Sequence, residues 1–308
     1  MSIGCCIIST MKTSEGKITF IDLFAGIGGF HLALHNLGAK CVFAAEWDDK
    51  ARETYRANFE KVEPSLFLNG SFATDITKVP ASSVPSHNIL CAGFPCQPFS
   101  VAGQKLGFED TRGTLFFNIA EIIKEKQPDA FFLENVRGLK NHDGGRTFEV
   151  IRATLEGLGY SFYCQQVKAS DFGLPQHRPR LFMVGFREDY NELFSFPQPV
   201  PLDYRMKDVF EANDVNKEIG FTLRVGGRGS KIDDRRNWEF YLVDGELRRI
   251  TPKEGKRMQG FPDSFALPVS EVQAMKQLGN SVAVPAVQMT AERIIETINL
   301  HRRQSVLV

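Results

Sequence analysis

Residues 18–38 read ITFIDLFAGIGGFHLALHNLG, and the fold turns on them. The β-rich run ITFIDLF predicts a short strand. After the glycine turn FAGIGG, GFHLALHNLG carries apolar residues at helical spacing and closes at Gly38, which predicts a helix. The same grammar repeats outward. CVFAAE (41–46) reads as strand and ARETYRANF (51–59) as helix. HNILCAGF (87–94) reads as strand, and TLFFNIAEIIKEK (114–126) as an amphipathic helix stopped by Pro128. DAFFLENV (129–136) is a further strand, and TFEVIRATLEGLGY (147–160) a helix ending at Gly159. Such alternation predicts an α/β fold, a mostly parallel sheet covered by helices on both faces.

The alternation fails after FSFPQPVPLDY, where Pro197, Pro199 and Pro201 break the chain and short Gly- and Arg-rich segments follow. A domain boundary is expected there. Helical character returns in EVQAMKQL and AVQMTAERIIETINL. The division expected is a flexible leader at 1–16, with a second start at Met11, a main domain at 17–195, a small insert at 196–274, and a segment at 275–308 that packs back on the main domain.

The chain has 308 residues, 43% of them hydrophobic, enough for one large core or two smaller ones, which excludes a disordered or fibrous chain. No apolar run approaches the roughly 20 residues that cross a bilayer, and MSIGCCIIST lacks the charged start of a signal peptide. A soluble cytoplasmic protein without membrane contact is expected. The six cysteines form no CxxC pair and have no His partners at zinc spacing, so neither a disulfide framework nor a metal site is expected. With 37 basic against 37 acidic residues there is no global field, and any nucleic-acid site must be a local patch.

Ligands of a doubly wound sheet collect at the carboxyl ends of its strands. Five segments bring reactive groups there: Phe24 to Gly29, Glu46 with Trp47, Asp75, Cys96, and Glu134 with Asn135. Glycines 26 and 28 let a backbone approach a ligand, and Glu46, 20 positions after Gly26, can bond ribose hydroxyls. A nicotinamide fingerprint would need glycine where His31 stands. Cys96, between two prolines in GFPCQPFS, is a candidate nucleophile, and the other five cysteines read as small buried hydrophobes. Glu134 closes an apolar run, where partial burial would raise its pKa and make it a proton donor near neutrality. A capping or ion-paired carboxylate is the plainer alternative.

Together these residues carry a family likeness: the chain resembles the bacterial DNA (cytosine-5) methyltransferases of restriction-modification systems. Six stretches match in the family's order: FIDLFAGIGGFHLAL, GFPCQPFS, FFLENVRGL, QHRPRLFMVGF, RRITPKEGKRMQGFPDSF and QLGNSVAVP. The resemblance implies a Rossmann-like S-adenosylmethionine-dependent fold with a small target-recognition domain in the insert. S-adenosylmethionine would lie among Phe24, Gly26, Gly28, Glu46, Trp47 and Asp75, with Asn280 and Ser281 near its amino-acid end. Cys96 would add to cytosine carbon 6, and Glu134 would donate to ring nitrogen 3. Arg178 would orient Glu134, and Arg180 would contact the target base or its phosphate; ordinary surface ion pairs are the alternative for both arginines. Cytosine must be flipped out of the duplex to be reached, and the loop from Ser100 to Gly113, containing VAGQKLGFEDTRG, would form a mobile lid over it.

The partner implied is double-stranded DNA, contacted by Gln97, Ser100 and Arg112 and read by Arg224, Arg228 and Arg235 in TLRVGGRGSKIDDRR. For any single arginine a phosphate contact is the commoner role. A cognate restriction endonuclease would be a functional rather than a physical partner, and a monomer suffices. An RNA cytosine methyltransferase, a catalytically dead DNA-binding relative and a nicotinamide oxidoreductase are the competing readings. The basic insert argues against the first, intact Cys96, Glu134, Arg178 and Arg180 against the second, and His31 against the third.

Overall fold

The computed structural model describes residues 17–68, 70–95, 115–190, 194–226, 231–234 and 237–306. Cys96, Gln97, Ser100, Arg112, Arg228, Arg235, the leader at 1–16 and the lid stretch at 100–113 lie outside the described residues.

The first half alternates β1 (Thr19–Leu23), α1 (Gly29–Asn36), β2 (Lys40–Ala45), α2 (Asp49–Phe59), β3 (Phe72–Ala73), β4 (Ile89–Gly93), α3 (Leu115–Lys126), β5 (Ala130–Val136) and α4 (Arg146–Gly157). Two strands beyond the sequence reading follow, β6 (Tyr163–Lys168) and β7 (Pro179–Phe186). The sheet runs β3-β2-β1-β4-β5-β7-β6. β1 pairs in parallel with both β2 and β4, so the strand order reverses between β1 and β4 and opens a crevice at their carboxyl ends.

β7 is antiparallel to both neighbours. Only ten residues, 169–178, join β6 to β7, too few for the helical crossover that parallel strands require. The reversal places the start of β7 at the edge where the parallel strands end.

Period-2 alternation sorts the side chains. Phe20 and Phe132 join one apolar cluster with α1 and α8 (Val284–Val306), whereas Ile21, Leu23 and Leu133 face Ile119 of α3 and Ile151 of α4. The rest of the chain forms α5 (Met206–Phe210), the hairpin β8 (Phe240–Val243) and β9 (Glu246–Arg249), α6 (Pro252–Gln259) and α7 (Glu271–Asn280). Trp238, Tyr241 and Val243 of the hairpin region belong to the same cluster as Phe132 and Phe182, so this part shares the main core. Among the described residues no helix is long and apolar enough to cross a membrane.

One acid sits inside that core. Asp22 is fully buried on β1 between Ala44 and Cys91. Burial holds its carboxyl well above the usual carboxylate range, and the His31 backbone only partly offsets this. The folded state therefore keeps a proton that the unfolded chain releases above about pH 4, so Asp22 lowers stability as pH rises. Asp22→Asn should gain on wild type as pH goes from 5 to 8, by up to about 1.4 kcal/mol per pH unit. Urea melts of both proteins at several pH values would check this, and a gap that stays constant would refute it.

Candidate active site

A cavity of about 870 Å³ opens at the carboxyl ends of the strands. Its wall is made by the residues that leave β1 (Phe24, Ala25, Gly26), β2 (Glu46, Trp47), β3 (Thr74, Asp75) and β4 (Phe94, Pro95), by Glu134 and Asn135 near the end of β5, and by Arg180, Asn280 and Ser281.

At the β1 exit the backbone is bent into the left-handed region at Phe24 (φ 55°) and Gly26 (φ 56°). Nothing lies within 4 Å of where a Gly26 Cβ would stand, and the Gly26 N–H donates to Glu46 Oε2 at 2.8 Å. Glu46 Oε1 accepts from the Asp48 N–H at 2.8 Å, so one carboxyl braces the turns after both β1 and β2. Burial raises its pKa, and those backbone donors pull it back. Trp47 stands 83% exposed on the cavity wall. Asp75 accepts from the Thr77 N–H at 3.0 Å and pairs with Lys78.

Gly28 departs from its expected place: it does not line the cavity. With φ 88°, its Cβ position would lie 2.3 Å from the Phe59 ring and 3.0 Å from Tyr55, so this glycine lets α2 close on the turn. Gly28→Ala should therefore destabilise the protein by about 2–4 kcal/mol, from left-handed strain plus overpacking. Thermal melting measures this; an unchanged midpoint would contradict it.

Glu134 faces the cavity from β5, and Arg180 Nε approaches its Oε1 to 2.9 Å. Burial raises the Glu134 pKa, opposed by the charges of Arg180 and Arg178. Arg180, and not Arg178, takes the role of orienting Glu134. Glu134 pairs with Phe182 across the ladder, so Arg180 is its diagonal neighbour and Arg178 a further rung away. Arg178 is instead fully buried and donates to the Leu223 carbonyl at 3.3 Å, the Gly279 carbonyl at 2.9 Å and the Ser281 carbonyl. Burial without a hydrogen-bonded carboxylate pushes its guanidinium down to about 9.

Asn135 acts on the next strand. Its Nδ2 donates to the Phe94 carbonyl at 2.8 Å, which fixes the exit of β4 two residues before Cys96. Arg224, the recognition candidate among the described residues, is exposed. Sequence reasoning missed Gln176, Gln259, Gln277 and Gly279. Gln277 accepts from Thr54 Oγ1 at 2.9 Å and donates to the Lys50 carbonyl at 2.8 Å, which docks α7 on α2 beside the cavity. Gln176 and Gln277 open two of the quoted motifs, and position within a motif was the available signal.

The cavity suits a nucleoside cofactor. Phe24, Trp47 and Ile76 offer flat or apolar walls for a base, Glu46 offers acceptors for ribose hydroxyls, and Asn280 and Ser281 offer polar groups for an amino-acid end. Gly26 leaves the space where such a ligand would approach the backbone.

The profile of the C-5 cytosine-specific DNA methylases matches residues 18–224 and 217–296. The chain is 44% identical to the type II methyltransferase M.HpaII of Haemophilus parainfluenzae, over 92% of this chain and 90% of that protein. It is 41% identical to M.HhaI of Haemophilus parahaemolyticus, over 92% and 95%. The solved structure of S. pombe Dnmt2 methyltransferase shares the fold, with a TM-score of 0.71 at 20% identity over 92% of this chain and 100% of that one. The strand-end cavity, the Glu134–Arg180 pair and these likenesses converge on one assignment: the chain belongs to the C-5 cytosine-specific DNA methylase family, S-adenosylmethionine-dependent enzymes that methylate carbon 5 of cytosine in DNA.

Proposed function

We propose that this protein methylates one cytosine within a short specific sequence of duplex DNA, by flipping the base into the cavity and attaching Cys96 transiently to carbon 6. The observation that carries this is Glu134: a buried carboxyl, raised in pKa and aimed by Arg180, on the same cavity wall as Pro95, the residue before Cys96. S-adenosylmethionine, held by Phe24, Gly26, Glu46, Trp47, Asp75, Asn280 and Ser281, supplies an electrophilic methyl group when bound. Cytosine carbon 5 is a poor nucleophile until the Cys96 thiolate adds at carbon 6. Glu134 donates to ring nitrogen 3 and steadies the negative charge created by that attack. Loss of the carbon 5 proton then expels Cys96 and restores the ring.

Residues 196–274 serve as target-recognition domain in this reading, with Arg224, Arg228 and Arg235 reading G·C pairs and Gln97, Ser100 and Arg112 contacting the flipped site. The protein works as a monomer in the cytoplasm and shields its sites from a cognate restriction endonuclease. The test is to incubate unmethylated plasmid with protein and S-adenosylmethionine and to read the product by bisulfite sequencing. One short recurrent sequence should carry 5-methylcytosine; no methylation, or methylation without a common sequence, would overturn the proposal.

A further inference from the structure

Residues 220–225, where the recognition stretch begins, are zipped to the QHR triplet that leads into β7. The Gly220 N–H donates to the Pro175 carbonyl and the His177 N–H to the Gly220 carbonyl, both at 2.8 Å, and Thr222 Oγ1 donates to the His177 carbonyl. The Leu223 N–H donates to Gln176 Oε1 at 3.1 Å, and the Leu223 carbonyl accepts from Arg178. Gln176 Nε2 donates onward to the Met258 carbonyl at 2.8 Å. Gln259 ties α6 to α7 through the Leu278 carbonyl at 2.6 Å. Arg178 continues to the Gly279 and Ser281 carbonyls at the cavity. Gln176, Gln259 and Arg178 are all at most 1% exposed.

The backbone after Leu223 is held as tightly. A Cβ on Gly279 would stand 2.7 Å from the Arg224 carbonyl carbon, 2.8 Å from its oxygen and 3.1 Å from the Val225 nitrogen. These are main-chain atoms, which cannot swing aside. The exposed Arg224 side chain thus leaves a backbone clamped from both sides, and the clamp ends two residues before Arg180. Buried side chains tied to this many main-chain groups hold the segment in one place, although Arg178 Nε itself has no hydrogen-bond partner among the described residues, and a reader displaced by about 1 Å loses its geometry with the reacting group.

From this we infer that Gln176 and Arg178 are specificity-determining positioning residues: they lock the recognition segment 220–225 to the strand carrying Arg180 and to the cofactor-lining turn 279–281. Buried as they are, they act on target choice through the main chain and not by contact with DNA. The inference rests on the reading of this segment as the start of target recognition.

The experiment compares single-turnover methylation of the cognate duplex, found by bisulfite sequencing, with duplexes changed at one base pair. The proteins are wild type, Gln176→Leu and Gly279→Ala, each checked by thermal melting and by S-adenosylhomocysteine binding without DNA. Gln176→Leu should lower the cognate-to-altered rate ratio at least tenfold while changing S-adenosylhomocysteine affinity less than threefold. Gly279→Ala reaches the same segment from the opposite side and should lower the same ratio, so the inference stays testable if the first variant folds poorly. A variant that slows all duplexes equally, or keeps full discrimination, overturns the inference and leaves the enzyme's assignment standing. A wild type that methylates without sequence preference removes the recognition reading and this inference with it.

Discussion

Cys96→Ser is expected to reduce methyl transfer to background while leaving S-adenosylmethionine affinity nearly intact. Carbon 5 becomes nucleophilic only after an anion adds at carbon 6, and the thiolate is the species that can do this near neutrality. A free thiol of pKa about 8.5 is already ionised to a few per cent at pH 7, whereas an alcohol is not measurably so. The cofactor residues lie on other strands: Gly26 and Glu46 are braced by each other at 2.8 Å and Asn280 ends α7, so the supports described for them come from elsewhere in the fold. Single-turnover rates with calorimetry of cofactor binding separate the two quantities. A substantial residual rate, or an equal loss of cofactor affinity, would remove Cys96 from the nucleophile's role.

Glu134→Gln should slow methyl transfer by roughly 100-fold or more, the usual scale for losing a positioned acid and equivalent to about 2.7 kcal/mol of barrier. DNA affinity should change little, because the amide keeps the shape. The pH profile sharpens the test. Burial raises the Glu134 pKa, so its proton is present at low pH and lost as pH rises through that value. Wild-type rates should thus fall on the alkaline side, and the glutamine variant should lack that limb while keeping the acid limb of the thiolate. A loss confined to DNA affinity would make Glu134 a structural residue that only pairs with Arg180.

Much of this site was legible in one dimension because strand ends and helix starts are local. The run ITFIDLF followed by FAGIGG announced β1 and its turn, and Glu46, Asp75 and Glu134 could be placed by counting to the ends of their strands. What pairs across the sheet could not be counted. That Arg180 and not Arg178 meets Glu134 follows from β7 running antiparallel to β5, a register that pairs residues 44 to 56 positions apart in the chain. Gly28 looked like its neighbour Gly26, yet one packs on Phe59 and the other faces the cavity, and only the position of α2 tells them apart. Gln176 is an unremarkable polar residue until the Leu223 backbone arrives from 47 positions away.

The most direct measurement is to trap the reaction on a cognate duplex in which 5-fluorocytosine replaces the target cytosine, with S-adenosylmethionine present, and to map the cross-linked peptide by mass spectrometry. After methyl transfer, carbon 5 carries fluorine where a proton would leave, so the enzyme should remain covalently bound. A stable adduct on Cys96 that carries one added methyl group is expected, and no adduct with Cys96→Ser. Full turnover of the fluorinated duplex without an adduct, or an adduct on any other residue, would contradict it.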